Sequence, residues 1–140
     1  MKQRYLLDSG AVEELMTPGS ETAVRAARKA PQAVLGTCYP VLGELWYGLE
    51  LSATRENNLK RLQRVIAELI LWPFELKAAA EFGRIKADLR RLGRPMQVVD
   101  MQLAAVAIAL GNTTVVTMDS DLSAIPGLSV EDWSKPEATP

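Results

Sequence analysis

A chain of 140 residues, 48% apolar and 24% charged, is long enough for one domain with a buried core and too short for two. Its mean hydropathy of +0.01 fits a soluble globular domain, and 16 basic against 17 acidic side chains leave a net charge of −1, so bulk charge announces no polyanionic partner. Histidine is absent and cysteine occurs once, at Cys38, which excludes an imidazole general base, a thiolate zinc cage and an internal disulfide.

Arg4 to Leu7 is a short apolar run ended by Asp8, Ser9 and Gly10, and Ala11 to Met16 then take up helical spacing, which reads as strand, turn, helix. The early charge of Asp8 leaves no room for a signal-peptide core, so the expected setting is a reducing cytoplasm. Glu21 to Lys29 form a second short helix, and Ala33 to Thr37 a strand between Pro31 and Pro40. Pro40 suits the first turn of a helix running to about Glu50, while Leu59, Leu62, Ile66 and Leu69 carry the spacing of another. Leu71 to Phe74 is a brief strand-like connector. Ala78, Phe82, Ile85, Leu89 and Leu92 then define one buried helical face, stopped at Gly93-Arg94-Pro95.

Val99 to Leu110 is apolar almost all the way round and reads as a helix inside the protein. Its longest unbroken apolar run, Leu103 to Leu110, falls far short of the ~20 residues that span a membrane. A β-branched strand ends at Thr117, and a last short strand lies near Ser129 to Glu131. Residues 1–133 read as the domain and residues 134–140 as a flexible tail. Short strands alternating with helices predict an α/β fold, a single domain with a central, mostly parallel sheet flanked by helices. In such folds ligands bind beyond the carboxyl ends of the strands, where Asp8 and Asp119 sit.

Most acidic residues, Glu13 and Glu14 among them, fall at polar helix positions and read as solvated surface. Asp8, Glu44, Asp100, Asp119 and Asp121 are different, because each stands beside or inside an apolar stretch where an unpaired charge is unfavourable. Asp8 and Asp100 have a structural alternative as helix caps. Glu44 has no such role inside its helix, and a buried salt bridge to an Arg or Lys is the alternative there. Convergence of these carboxylates at the strand ends would demand a divalent cation, and an all-oxygen set selects hard ions, Mg²⁺ or Mn²⁺. Such ions serve phosphodiester hydrolysis. Arg84, Lys86, Arg90, Arg91 and Arg94 form a basic cluster suited to phosphates, with a second group at Arg55, Lys60, Arg61 and Arg64. Solvated helix faces are the alternative for both.

Four segments in order resemble the PIN-domain family and, within it, the VapC-type ribonuclease toxins of toxin–antitoxin pairs. They are Tyr5 to Gly10, Pro40 to Gly48 around Glu44, Asp100 to Ala105, and Val115 to Leu122 followed by Pro126-Gly127-Leu128 and Trp133. The resemblance implies a PIN-like fold and a metal-dependent endoribonuclease, with Asp8, Glu44, Asp100 and Asp119 around Mg²⁺ or Mn²⁺ and Asp121 auxiliary. It also implies a homodimer, a VapB-type antitoxin and an RNA substrate, with transfer RNA among the candidates. Ser9 and Thr117 supply hydroxyls to orient carboxylates. The sequence departs from the family at Gly10, where many relatives have Asn, and at Leu122, where many have Phe. A catalytically silent PIN-like module that binds RNA or protein is the alternative that Gly10 leaves open.

Overall fold

The computed structural model describes residues 1–137. In chain order it contains β1 (Arg4–Leu7), α1 (Ser9–Leu15), α2 (Glu21–Lys29), β2 (Val34–Cys38), α3 (Tyr39–Leu51), α4 (Arg55–Ile66), β3 (Ile70–Trp72), α5 (Leu76–Arg91), α6 (Val98–Leu110), β4 (Thr113–Val116), a 3-10 turn (Ser120–Ala124) and β5 (Ser129–Glu131). All four strand pairings are parallel, in the order β3-β2-β1-β4-β5. Parallel neighbours cannot be joined by a tight turn, so every connection crosses over a face of the sheet. The order steps outward from β1 to β3 and then restarts on the other side of β1 with β4. The reversal between β1 and β4 opens a crevice at the carboxyl ends of these two strands.

The middle of the sheet is dry. Leu6, Leu7, Val115 and Val116 are fully buried or nearly so, and Leu103 to Ala107 of α6 are buried without interruption. This explains the lack of a polar stripe on α6, which lies between the sheet and α5. Gly36 of β2 is required by closeness rather than by a turn, since a Cβ there would meet the Ile70 carbonyl and, at 2.7 Å, the Trp72 ring of β3. Cys38 is buried and free, and burial pushes its thiol up to about 11.

Helix ends follow local chemistry. The Ser20 hydroxyl accepts the Ala23 N–H at 3.1 Å and starts α2, and Pro40 sits in the first turn of α3. The periodicity reaching Leu69 overstates α4, which ends at Ile66. Gly36 pairs with Ile70, so the chain must leave the helix in time to enter β3, and Leu69 packs on the core from the intervening turn. Trp133 is fully buried with its ring centroid 4.9 Å from that of Tyr5, and its Nε1 donates to Glu131. Arg25 donates to the carbonyls of Asp132 at 3.3 Å and Lys135 at 2.6 Å, and Glu137 forms ion pairs with Arg25 and Arg28. Of the segment read as a flexible tail, residues 138–140 lie outside the described residues.

Candidate active site

Four elements deliver carboxylates to the crevice at the sheet reversal. Asp8 follows β1 directly and starts α1, its Oδ1 accepting the Ala11 N–H at 2.8 Å. Glu44 stands in α3, where the Ser9 hydroxyl donates to its Oε1 at 2.9 Å. Asp100 lies in the first turn of α6. Asp119 comes after β4, where its N–H donates to the Thr117 hydroxyl oxygen at 2.9 Å and its Oδ1 accepts the Asp121 N–H at 2.9 Å. Among the described residues no Lys or Arg forms an ion pair with any of the four. The buried salt bridge open to Glu44 on sequence grounds is therefore absent, and a half-buried position with one hydroxyl donor replaces it.

The electrostatics show that the four acids share one field. Asp100 is pushed up to about 6, first by burial and then by the charges of Asp119, Glu44 and Asp8. Asp8 is also raised, chiefly by burial. Hydrogen bonding from the Thr117 hydroxyl and the Ala11 N–H pulls it down, and Asp119 and Glu44 push it up. A fifth carboxylate belongs to the same field: Glu13 is raised by partial burial and by Asp8, Glu44 and Glu14. Its side chain is exposed, in keeping with its reading as solvated surface, yet its charge joins the same field. Spacing was the available signal, since Glu13 lies four residues, about one helical turn, beyond the Ser9 that holds Glu44.

Asp119 and Asp121 are exposed, so the expectation that they stand in an apolar setting is also corrected; the 3-10 turn lifts them to the rim. Asp121 contributes its backbone N–H to Asp119. Among the described residues no three of these side chains stand close enough to enclose an ion. Repulsion among unpaired carboxylates favours such spacing. The donor chemistry, four oxygen-only side chains with no nitrogen or sulfur ligand, fits a hard divalent cation.

The two departures from the family pattern differ in kind. A Cβ at Gly10 would lie 3.3 Å from the Met118 methyl and 3.6 Å from the Asp8 carboxylate, so this position borders the site. Leu122, within the 3-10 turn, is fully buried and bears on packing instead. On α5, Arg84 pairs with Glu81 and Asp88, and Arg91 pairs with Asp88. Lys86, Arg90 and Arg94 have no acidic partner among the described residues and border an open cavity next to Met101.

Comparison with known proteins fits this geometry. The PIN domain family model matches residues 5–128. The tRNA(fMet)-specific endonuclease VapC of Salmonella typhimurium is 35% identical over 92 residues, 66% of this chain and 70% of that one. Ribonuclease VapC2 of Rickettsia felis is 30% identical over 95 residues, 68% and 71% of the two chains. This chain belongs to the PIN-domain family, among the VapC ribonucleases. The VapC fold here is similar to that in the crystal structure of VapBC2 from Rickettsia felis bound to a DNA fragment from its promoter. The TM-score is 0.87 and the identity 25%, covering 94% of this chain and 99% of that one. DNA-bound VapBC from Salmonella typhimurium gives a TM-score of 0.85 at 28% identity, covering 94% and 98%. No helix among the described residues of this VapC chain is long and apolar enough to cross a membrane.

Proposed function

We propose that this chain is an endoribonuclease that hydrolyses RNA phosphodiester bonds as the toxin of a VapBC-type pair, restrained in the cytoplasm by a VapB-type antitoxin. What supports this reading is the mutual charge coupling of Asp8, Glu44, Asp100 and Asp119, which come from four elements and have no basic partner among the described residues. Transfer RNA is the first substrate to try, because the Salmonella relative is named for it. A homodimer is the assembly that the family resemblance implies.

Asp8, Glu44, Asp100 and Asp119 would hold Mg²⁺ or Mn²⁺, the cations that match an all-oxygen donor set. When bound, such an ion supplies a water of lowered pKa and neutralises phosphate charge. The chain's own groups prepare for this. Ser9 fixes the Glu44 carboxylate, while Thr117 holds the Asp119 backbone and hydrogen-bonds to Asp8. Asp121, exposed and joined to Asp119 through its backbone N–H, would be the auxiliary acid. Without a cation the same carboxylates repel the phosphate to be cleaved, so cleavage requires the cation.

Asp8→Asn and Asp100→Asn remove ligand charge and little volume, and each is expected to abolish RNA cleavage and growth arrest while leaving the fold intact. Retained cleavage in either variant would remove that residue from the site. A silent binding module would need a missing donor, and Gly10 withdraws none of the four carboxylates.

A further inference from the structure

The carboxylates account for cleavage but not for how a strand is presented to them. The basic cluster on α5, treated as one group by composition, is divided in two by the fold. Glu81, Arg84, Asp88 and Arg91 recur at three- and four-residue steps along one flank of the helix, where Arg84 lies 2.8 Å from Glu81 and 3.3 Å from Asp88, and Arg91 lies 3.0 Å from Asp88. Their charges largely cancel. Lys86 and Arg90 lie on the opposite flank, across the buried ridge of Ile85 and Leu89, and Arg94 continues that line past the helix end. Lys86 rests 5.9 Å from the Phe82 ring centroid rather than against an acid.

These three cations rim an open cavity of about 340 Å³ whose accessible apolar lining is Pro95 and Met96, with Leu89 and Met101 almost wholly buried behind them. Met101 directly follows Asp100 in α6, so one wall of the cavity is a single residue along the chain from a member of the acid cluster. Cations around an apolar hollow match an unstacked nucleobase with phosphates on either side. The flat ring lies on Met96 and Pro95, and the backbone charge meets Lys and Arg.

Resting on the ribonuclease reading above, we infer that Lys86, Arg90 and Arg94, with the hollow lined by Pro95 and Met96, form an RNA subsite that holds one unpaired nucleobase near the cleavage centre. Arg84 and Arg91 take no part in it. The subsite selects single-stranded or looped RNA over duplex, because a paired base cannot enter the hollow.

The test is binding of a short single-stranded RNA carrying one 2-aminopurine, titrated into the full-length chain in EDTA so that the strand stays intact, with the same RNA in a duplex as control. The wild type is expected to bind the single strand more tightly and to change its fluorescence. Lys86→Ala, Arg90→Ala and Arg94→Ala should each weaken binding and lower the slope of log Kd against log salt by about 0.7. Arg84→Ala and Arg91→Ala should leave the slope unchanged. Met96→Ala should diminish the fluorescence change and keep the slope. Equal losses in all five cation variants, or no loss in any, would overturn the subsite in a protein that still cleaves RNA. Duplex bound as tightly as single strand would overturn base capture, and loss of binding to the antitoxin alone would make this a protein-docking surface and overturn the proposal. A wild type that neither binds nor cleaves RNA would overturn the ribonuclease reading itself.

Discussion

Asp100 carries the most informative single charge. In the fold it keeps its proton up to about 6, whereas the unfolded chain loses it near the ordinary 3.8. The folded state thus binds more protons between those values, and the stability of the metal-free protein falls as pH rises through that window. Asp100→Asn removes the loss. Its stability relative to wild type is expected to be near zero at pH 4 and to grow to about 1 kcal/mol at pH 7, a value discounted for solvent screening of this half-exposed group. Chemical denaturation at the two pH values checks this. Glu44→Gln should act in the same direction, because the Glu44 charge raises Asp8, Glu13 and Asp100, and the amide oxygen still accepts from Ser9. Its apo melting temperature should rise by an amount reflecting roughly 1 kcal/mol, with Mg²⁺-induced stabilisation lost. A large drop would instead make Glu44 structural. Asp8, Glu44 and Asp100 were legible in the sequence because each conflicts with an apolar neighbourhood. Glu13 was not, because a carboxylate on the polar side of a helix looks solvated until the fold shows which helix lies opposite.

At the scale of elements, one carboxylate has two duties. Asp8 caps α1 through Ala11 and also stands in the acid cluster. Asparagine caps as well as aspartate and removes a raised, half-buried charge, so metal-free Asp8→Asn should melt at or above wild type, whereas Asp8→Ala should be less stable than Asp8→Asn by about 1 kcal/mol. Both should lose cleavage, and thermal melts beside an RNA assay separate the two duties. Gly36→Ala tests the close approach of β2 and β3. With the Ile70 carbonyl and the Trp72 ring in the way, it should destabilise the fold by about 3 kcal/mol in denaturant titration. The elements themselves were largely legible from periodicity and from Gly and Pro. The end of α4 was not, since Leu69 keeps the helical spacing and only the pairing of Ile70 with Gly36 forces the chain out of it. The division of the α5 cations was also hidden, because Glu81 lies outside the basic run that attracts the eye.

For the whole molecule, the strand order decides where chemistry is located. Alternation of strands and helices announces a parallel sheet, but not that β4 returns to the far side of β1, and that return brings Asp119 opposite Asp8. Order along the chain, four short acidic segments at family spacing, supplied what periodicity could not. The central claim is that these carboxylates act together through a hard divalent cation on RNA. The most direct measurement is cleavage of transfer RNA and of a single-stranded RNA by the purified chain, freed of antitoxin, in EDTA and after adding back Mg²⁺, Mn²⁺ or Zn²⁺, with Asp100→Asn in parallel. Cleavage should be absent in EDTA, restored by Mg²⁺ or Mn²⁺, poorly supported by Zn²⁺ and absent from the variant under all conditions. Full cleavage in EDTA, or undiminished cleavage by Asp100→Asn, would contradict it.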